Sequence, residues 1–454
     1  MLNYLPKVVH HGGANGVTGS CHEWQFSHNS SILIDCGLFQ GTDVNHKDLN
    51  FTFDISHIEA LILTHCHIDH VGRLPWLIAA GYRGPIFCSI PTATLLPLIL
   101  EDSLQIQIPD QEHLITQTIH RIKKQLVPLE YREAFHFKNR DEALVDICLQ
   151  NAGHILGSAY VELTYRNRTT VFSGDLGTGG SYINPELSSP AKAHELILES
   201  TYGDRNHQNQ MSRKDQLKDI MMRSLENGGP IIIPAFSLGR TQEILAIICE
   251  IKEEADLTLE IDEPWEDQKL PVILDSPLAS KITYAFRRLR PYWNDSQVSK
   301  NPFSFKSFAM VQNYREHKAV IQHLKQSMQP AIIIAASGMC QGGRIMEYLE
   351  TFLNVPEADL VFVGYQAEGT LGRSILNGLP GDQHRVNNQL ITASAQIHKI
   401  SGFSAHADQQ ELIEFIANIP VTPEIIRLVH GESRSKRVLK NTIEGAFPSI
   451  QVFD

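Results

Sequence analysis

The stretch that most constrains this chain is His65, Cys66, His67, Ile68, Asp69 and His70, which follows an apolar run, Ala60, Leu61, Ile62, Leu63 and Thr64. Three imidazoles and a carboxylate fall in one short loop directly after a buried-strand pattern. Neutral imidazole nitrogens and aspartate oxygens suit Zn²⁺ or a similar divalent ion. Four ligands in six residues are too many for one tetrahedral catalytic ion that must keep a position open. The spacing predicts two adjacent ions, with His65 and His67 on one and Asp69 and His70 on the other. Alternate residues of an extended loop point oppositely, so Cys66 is expected as a buried bystander.

Two ions need further ligands, and the chain offers them with a repeated grammar. Short apolar runs that end in a polar residue read as buried strands delivering a side chain at their carboxyl ends. Ser31, Ile32, Leu33 and Ile34 lead to Asp35; Val171, Phe172, Ser173 and Gly174 lead to Asp175. Leu196, Ile197 and Leu198 lead to Glu199, and Ile425 through Val429 to His430. His154 lies between Gly153 and Gly157, a turn that lets a ring approach a crowded site.

In order, Asp35, the 65–70 block, His154 and Asp175 resemble the four motifs of the metallo-β-lactamase fold. Glu199 in Glu-Ser-Thr-Tyr-Gly, His406 in Ser-Ala-His-Ala-Asp and His430 in His-Gly-Glu are similar to the three extra motifs of its β-CASP subfamily, which includes the endonuclease of pre-mRNA 3′ ends and the RNase J enzymes. Further stretches resemble the same group: Pro-Ala-Phe-Ser-Leu-Gly-Arg at 234–240, Asp-Ser-Pro-Leu at 275–278, Ala-Ser-Gly-Met-Cys at 336–340 and Gly-Tyr-Gln-Ala-Glu-Gly-Thr-Leu-Gly at 364–372. The resemblance implies an α/β fold, an αββα metallo-β-lactamase sandwich with an inserted β-CASP domain.

Between Glu199 and His406 the pattern changes to apolar triplets alternating with helical stretches. Ile231–Ile233, Val272–Leu274 and Ile332–Ile334 each precede such a stretch, and Leu360 to Val363 follows. Strands alternating with helices predict a doubly wound parallel sheet. With metal ligands resuming at His430, this domain is an insertion: residues 1–203 begin the first domain, 204–387 form the insertion, and 388–454 complete the first. Its glycine-rich turns suggest phosphate cradles. The expected phosphate contacts are Arg240, Ser337, Gly338 and Arg344, with His384 at the expected re-entry point and Ser404 beside His406.

Composition is ordinary for a globular chain of 454 residues, 42% hydrophobic and 20% charged, so long disorder is not expected. Seven scattered cysteines without a Cys-x-x-Cys pair fit a reduced, cytoplasmic protein. The N-terminus lacks a signal-peptide core, and no apolar run approaches a membrane span. Net charge of −12 argues mildly against a nucleic-acid partner. Part of that acidity is local: residues 253–267 carry eight carboxylates and read as a solvated insertion.

What the resemblance implies for the chemistry is specific. His65, His67 and His154 hold one ion, Asp69, His70 and His430 the other, and Asp175 bridges them. Asp35 supports ligand histidines from behind. The ions are most naturally Zn²⁺, with Mn²⁺ as an alternative. A hydroxide activated by two metals, oriented by Asp69, attacks an RNA phosphodiester. His406 protonates the leaving oxygen, and Glu199 orients it. Products carry 5′-phosphate and 3′-hydroxyl ends. A histidine at the His430 position goes with RNA-directed members, so the expected partner is single-stranded RNA, with a homodimer as an allowed assembly. The chain stops at Asp454, which resembles the compact bacterial form. Asn15 and Gly16 depart from relatives that often carry charges there. Rival readings are a DNA nuclease of the same family and a small-ester metallohydrolase, the latter needing neither the insertion nor Glu199 and His406.

Overall fold

The computed structural model describes residues 5–27, 29–40, 49–207, 212–258, 270–294, 302–303, 308–400, 402–403 and 405–454. The chain divides into two compact units, one made of Met1–Asn206 with Ala405–Asp454, the other of His207–Ser404.

The first unit holds two mixed sheets. One has strands β1 (Lys7–Gly12), β2 (Cys21–Gln25), β3 (Ser31–Ile34), β4 (Ile58–Ile62), β5 (Ile86–Ser89) and β6 (Leu126–Leu129), ordered as in the chain. The other is built from β7 (Ala134–Lys138), β8 (Leu144–Asn151), β9 (Ala159–Tyr165), β10 (Arg168–Phe172) and β11 (Glu195–Glu199), and is completed by two C-terminal strands. Alternating residues of both sheets share one core: Trp24, Ile32, Ile34, Ala60, Ile62 and Phe87 pack with Ile147, Leu149, Val161, Leu163, Phe172 and Ile197. This apolar interface between the sheets is the centre of the sandwich. The opposite face of the second sheet, through Tyr160, Val171, Leu196 and Leu198, meets Leu412, Phe415 and Ile416 of the helix Gln409–Ala417, and Leu439 and Ile443 of Ser433–Ala446. Helices Leu74–Ala79, Ile90–Gln107 and Glu112–Gln125 accompany the first sheet. The layers are α, β, β, α.

The second unit is a parallel sheet of β12 (Ile231–Pro234), β13 (Val272–Asp275), β14 (Phe308–Met310), β15 (Ile332–Ala335) and β16 (Asp359–Phe362), followed by a hairpin, β17 (Gln383–Val386) and β18 (Gln389–Thr392), and by β19 (Gln396–Lys399). The order across the sheet is β14-β13-β15-β12-β16-β19, every pair parallel. The central triplets are fully buried, as their unbroken apolar character predicts for a two-sided parallel sheet. Strands β20 (Ile425–Val429) and β21 (Gln451–Phe453) return to the first unit, where β20 pairs in parallel with β11.

Two expectations need correction. The chain re-enters the first unit at Ala405, not at residue 388, because β19 pairs with β16 and extends the inserted sheet. β19 is a half-exposed edge strand, Gln-Ile-His-Lys, with no apolar run to announce it. The acidic stretch is also not an insertion from its start. Helix Arg240–Thr258 continues through Glu253 and Glu254, and Lys214 pairs with both Glu250 and Glu254. Residues 259–269 lie outside the described residues.

Candidate metal centre and catalytic pair

Asp35 follows β3, the 65–70 loop follows β4, His154 follows β8, Asp175 follows β10, Glu199 ends β11 and His430 follows β20. β3 and β4 run parallel, as do β10, β11 and β20, so these side chains emerge together at one edge of the sandwich. Close backbone approach is what permits it. A side chain at Gly37 would put a Cβ 1.6 Å from the carbonyl oxygen of Asp69, so only glycine fits beneath that loop. Asp35 and His430 both adopt the left-handed conformation, with φ of 61° and 50°, at the point where each strand turns into the site.

The ligand atoms form two groups. In the first, Nδ1 of His67 lies 3.1 Å from Nε2 of His65 and 3.1 Å from Nε2 of His154, and Oδ2 of Asp175 is 3.5 Å from both Nε2 atoms. In the second, Nε2 of His70 lies 3.2 Å from Oδ1 of Asp175, 3.4 Å from Nε2 of His430 and 3.7 Å from Oδ2 of Asp69. Asp175 thus offers one oxygen to each group. Four ligands at ~2.0–2.1 Å from a tetrahedral zinc would stand about 3.3–3.4 Å apart, the spacing found in both groups. Oδ1 of Asp175 is buried without a hydrogen-bond partner, an orphan of the kind a cation satisfies. The residues present fit a pair of divalent ions.

Protonation differs between the two groups: Asp175 and the neighbouring carboxylates outweigh burial at His70 and His430 and raise both. Burial depresses His65, His67 and His154, with His67 brought down to about 4, so these rings are neutral and their lone pairs are free for a cation. Burial alone would raise Asp69 and Asp175, but the neighbouring histidines outweigh it and hold both carboxyls well below the usual range.

The ring orientations are set from behind. Nδ1 of His70 donates to Oδ2 of Asp35 at 2.7 Å, and Nδ1 of His154 donates to the carbonyl of Ala405 at 2.8 Å. The Thr64 hydroxyl lies 2.9 Å from Oδ2 of Asp35 and 3.1 Å from Nδ1 of His65. With each Nδ1 engaged, Nε2 is the free donor on three rings. Cys66 is buried, and burial pushes its thiol up to about 12, as a bystander should be.

Beside the first group stands a second pair. His406 Nδ1 lies 3.2 and 3.1 Å from the two carboxylate oxygens of Glu199, which is fully buried, and its Nε2 is 3.8 Å from Oδ2 of Asp175. Burial would strip the proton from His406, yet Glu199 and then Asp175 outweigh it and raise the imidazolium to about 9. The backbone N–H of Leu176 donates to Glu199 at 2.6 Å and fixes the carboxylate. The result is a half-buried imidazolium beside the candidate ligand groups.

Residues 24–219 match the metallo-β-lactamase superfamily, 241–375 the β-CASP domain, and 391–453 the Zn-dependent metallo-hydrolase RNA specificity domain. The chain is 34% identical over 431 residues to ribonuclease TTHA0252 of Thermus thermophilus, covering 94% of this chain and 93% of that one. This chain belongs to the β-CASP family of metallo-β-lactamase proteins. Transcription termination factor FttA of Methanosarcina mazei is 32% identical over 458 residues, and this chain spans 67% of its length. A crystal structure of an Enterococcus faecalis protein of unknown function shares the fold, with a TM-score of 0.54, 12% identity and 94% of each chain covered.

The expected phosphate contacts of the β-CASP domain fare unevenly. Arg240 opens the helix Arg240–Thr258, its guanidinium 5.9 Å from the ring of Phe403. The Ser337 hydroxyl accepts from the backbone N–H of Gln341 at 3.1 Å. The Gly338 turn lies against Phe236. Arg344 is anchored through one guanidinium nitrogen on the fully buried carboxylate of Asp275 and on the carbonyl of Val311. His384 does not stand at the re-entry point. It is 5% exposed, lies in the β17–β18 hairpin of the inserted unit, and has Nδ1 3.1 Å from Ser374 Oγ. Ser404 lies outside the described residues.

Thr64 and Ala405 were not singled out by sequence reasoning. Each sits next to a motif histidine, Thr64 before His65 and Ala405 before His406. That adjacency was the available signal.

Proposed function

We propose that this β-CASP protein is a metal-dependent ribonuclease that hydrolyses single-stranded RNA, leaving 5′-phosphate and 3′-hydroxyl ends. The observation that carries the reading is the His406–Glu199 pair beside two converging ligand groups joined by Asp175. A small-ester hydrolase has no need of a half-buried, protonated histidine facing a poor leaving group. The relative named a ribonuclease, matched across 93% of its length, and the RNA specificity match at 391–453 support RNA as the polymer.

Zn²⁺ fits the donor set of imidazoles and carboxylates, and a pair of ions would lower the pKa of a water towards neutrality and neutralise charge on a phosphoryl group. His65, His67, His154 and Asp175 would hold one ion, and Asp69, His70, Asp175 and His430 the other. Asp69, half-buried like His67 and Ile68, orients the proton of the attacking water. His406 gives its proton to the departing 3′ oxygen, since an unprotonated sugar alkoxide leaves poorly. Glu199 holds Nδ1, which leaves Nε2–H as the donor. Asp35, Thr64 and Ala405 keep the ligand rings turned inward.

Glu199, His406 and His430 also fall within reach of a common ion. That favours a second reading, in which His406 is itself a ligand. Metal content of His406→Ala separates the two, because an acid can be lost without losing an ion.

Incubation of the protein with RNA labelled at either end, with 5′-phosphate and with 5′-hydroxyl, tests the activity. Internal fragments bearing 5′-phosphates are expected for endonucleolytic cleavage, and mononucleotides released in sequence for exonucleolytic cleavage. Products ending in 2′,3′-cyclic phosphate would refute hydrolysis by this route. No helix among the described residues is long and apolar enough to cross a membrane. The proposed cytoplasmic location rests on the seven cysteines, none of which forms a disulfide.

A further inference from the structure

Two large aromatic side chains stand uncovered at neighbouring strand ends of the β-CASP domain. Phe236 is 44% exposed, two residues beyond β12, and Tyr365 is 55% exposed, three beyond β16. β12 and β16 are hydrogen-bonded parallel neighbours, and β15 flanks β12 on its other side, so all three turns leave the same edge of the sheet.

These rings are held, not merely left over. A Cβ at Gly338, in the turn after β15, would come within 2.9 Å of Cδ2 and 3.1 Å of Cε2 of Phe236, so the missing side chain makes room for that ring. The Gly338 carbonyl accepts from Nε2 of Gln366 at 2.9 Å, and the same amide lies 3.3 Å from the Gly364 carbonyl. Gln366 is 2% exposed and follows Tyr365 directly. One buried amide therefore ties the turn beneath Phe236 to the turn that carries Tyr365. Scattered apolar residues on a surface need no explanation, but two aromatics braced on joined turns are a built surface.

The topology opens a crevice at this edge. The chain passes from β12 across β15 to β13, and from β15 in the other direction across β12 to β16. Right-handed crossovers in opposite directions lie on opposite faces, which parts the connections outside the carboxyl ends, where open α/β sheets take ligands. Cations stand close in sequence: Arg240 four residues beyond Phe236, and Arg373 in the helix Leu371–Asn377.

We propose that Phe236 and Tyr365 form a stacking platform for unpaired nucleobases of RNA, with Arg240 serving the backbone phosphates. An aromatic face accepts any base, so the platform supplies affinity without sequence preference, and a duplex hides the base faces it needs. The inference rests on the ribonuclease reading and gives its preference for single strands a physical cause.

The test uses the full chain with His406→Ala to suppress turnover, and fluorescence anisotropy with two probes of equal length: oligouridylate and a base-free ribose-phosphate strand. Phe236→Ala and Tyr365→Ala are each expected to weaken oligouridylate binding about tenfold. Binding of the base-free strand should not change, which also reports that the variants are folded. In Phe236→Trp, oligouridylate affinity should persist and the indole emission should be quenched by oligouridylate but not by the base-free strand. Equal losses on both strands, or undiminished oligouridylate binding, would overturn the platform. If the wild type cleaves RNA while either of those results appears, the platform falls and the nuclease reading stands; a wild type that cleaves no RNA takes both down.

Discussion

The two carboxylate oxygens of Glu199 lie 3.2 and 3.1 Å from Nδ1 of His406, behind a wall with no solvent access on the carboxylate side. A buried carboxylate in that position stabilises the imidazolium and aims its other nitrogen outward. His406→Ala should keep its metals and lower RNA turnover by about a hundredfold to ten-thousandfold, the range for a lost general acid. A substrate with a good leaving group should recover much of that loss. Single-turnover rates on both substrates, with elemental analysis of the variant, check this; loss of an ion would make His406 a ligand.

Asp175 gives one oxygen to each ligand group. The purified protein should carry close to two ions per chain, and Asp175→Ala should lose both or most of them. A single tightly held ion, unchanged in Asp175→Ala, would end the binuclear assignment. Elemental analysis measures it.

Asp35 contributes no atom to either ligand group but accepts from Nδ1 of His70 and from both the N–H and hydroxyl of Thr64. Asp35→Ala should weaken metal affinity about tenfold to a hundredfold while leaving the fold intact. Thr64→Val should weaken it less, since the backbone N–H of Thr64 remains. Chelator competition reads both constants, and unchanged affinity in Asp35→Ala would remove its supporting role.

Glu23, away from the metal centre, gives a pH signature. Burial opposes its ionisation, but His11 at 2.8 Å and His57 at 2.6 Å outweigh it and draw the carboxyl down to about 2 from an ordinary 4.5. A carboxyl depressed on folding contributes stability above its unfolded value, and that stability disappears as the pH falls from about 4.5 to about 2. The contribution is at most about 3 kcal/mol. Denaturant melts across this range should show Glu23→Gln with a flatter acid limb than the wild type. Parallel curves would mean that Glu23 titrates normally.

The candidate ligands were legible in the sequence as local patterns, and their division between two ions as what the family resemblance implies. Asp35, Asp175, Glu199 and His430 each follow or end an apolar run, His154 lies in a glycine-flanked turn, and the 65–70 loop crowds its donors into one turn. A buried strand and the polar residue ending it are both short-range features, so the inserted parallel sheet could be read as well, whereas the sandwich was implied by the family resemblance. Only the tertiary structure decided what depends on distant pairing. β19 has no apolar signal and joins the inserted sheet through backbone hydrogen bonds to β16, which moves the re-entry point to Ala405. Arg344, an expected phosphate contact in a glycine-rich turn, is held by Asp275, 69 residues earlier. The carbonyl of Ala405 orients His154 from 251 residues away. A backbone oxygen has no letter of its own in a sequence, and the partner of a charged side chain is chosen by packing.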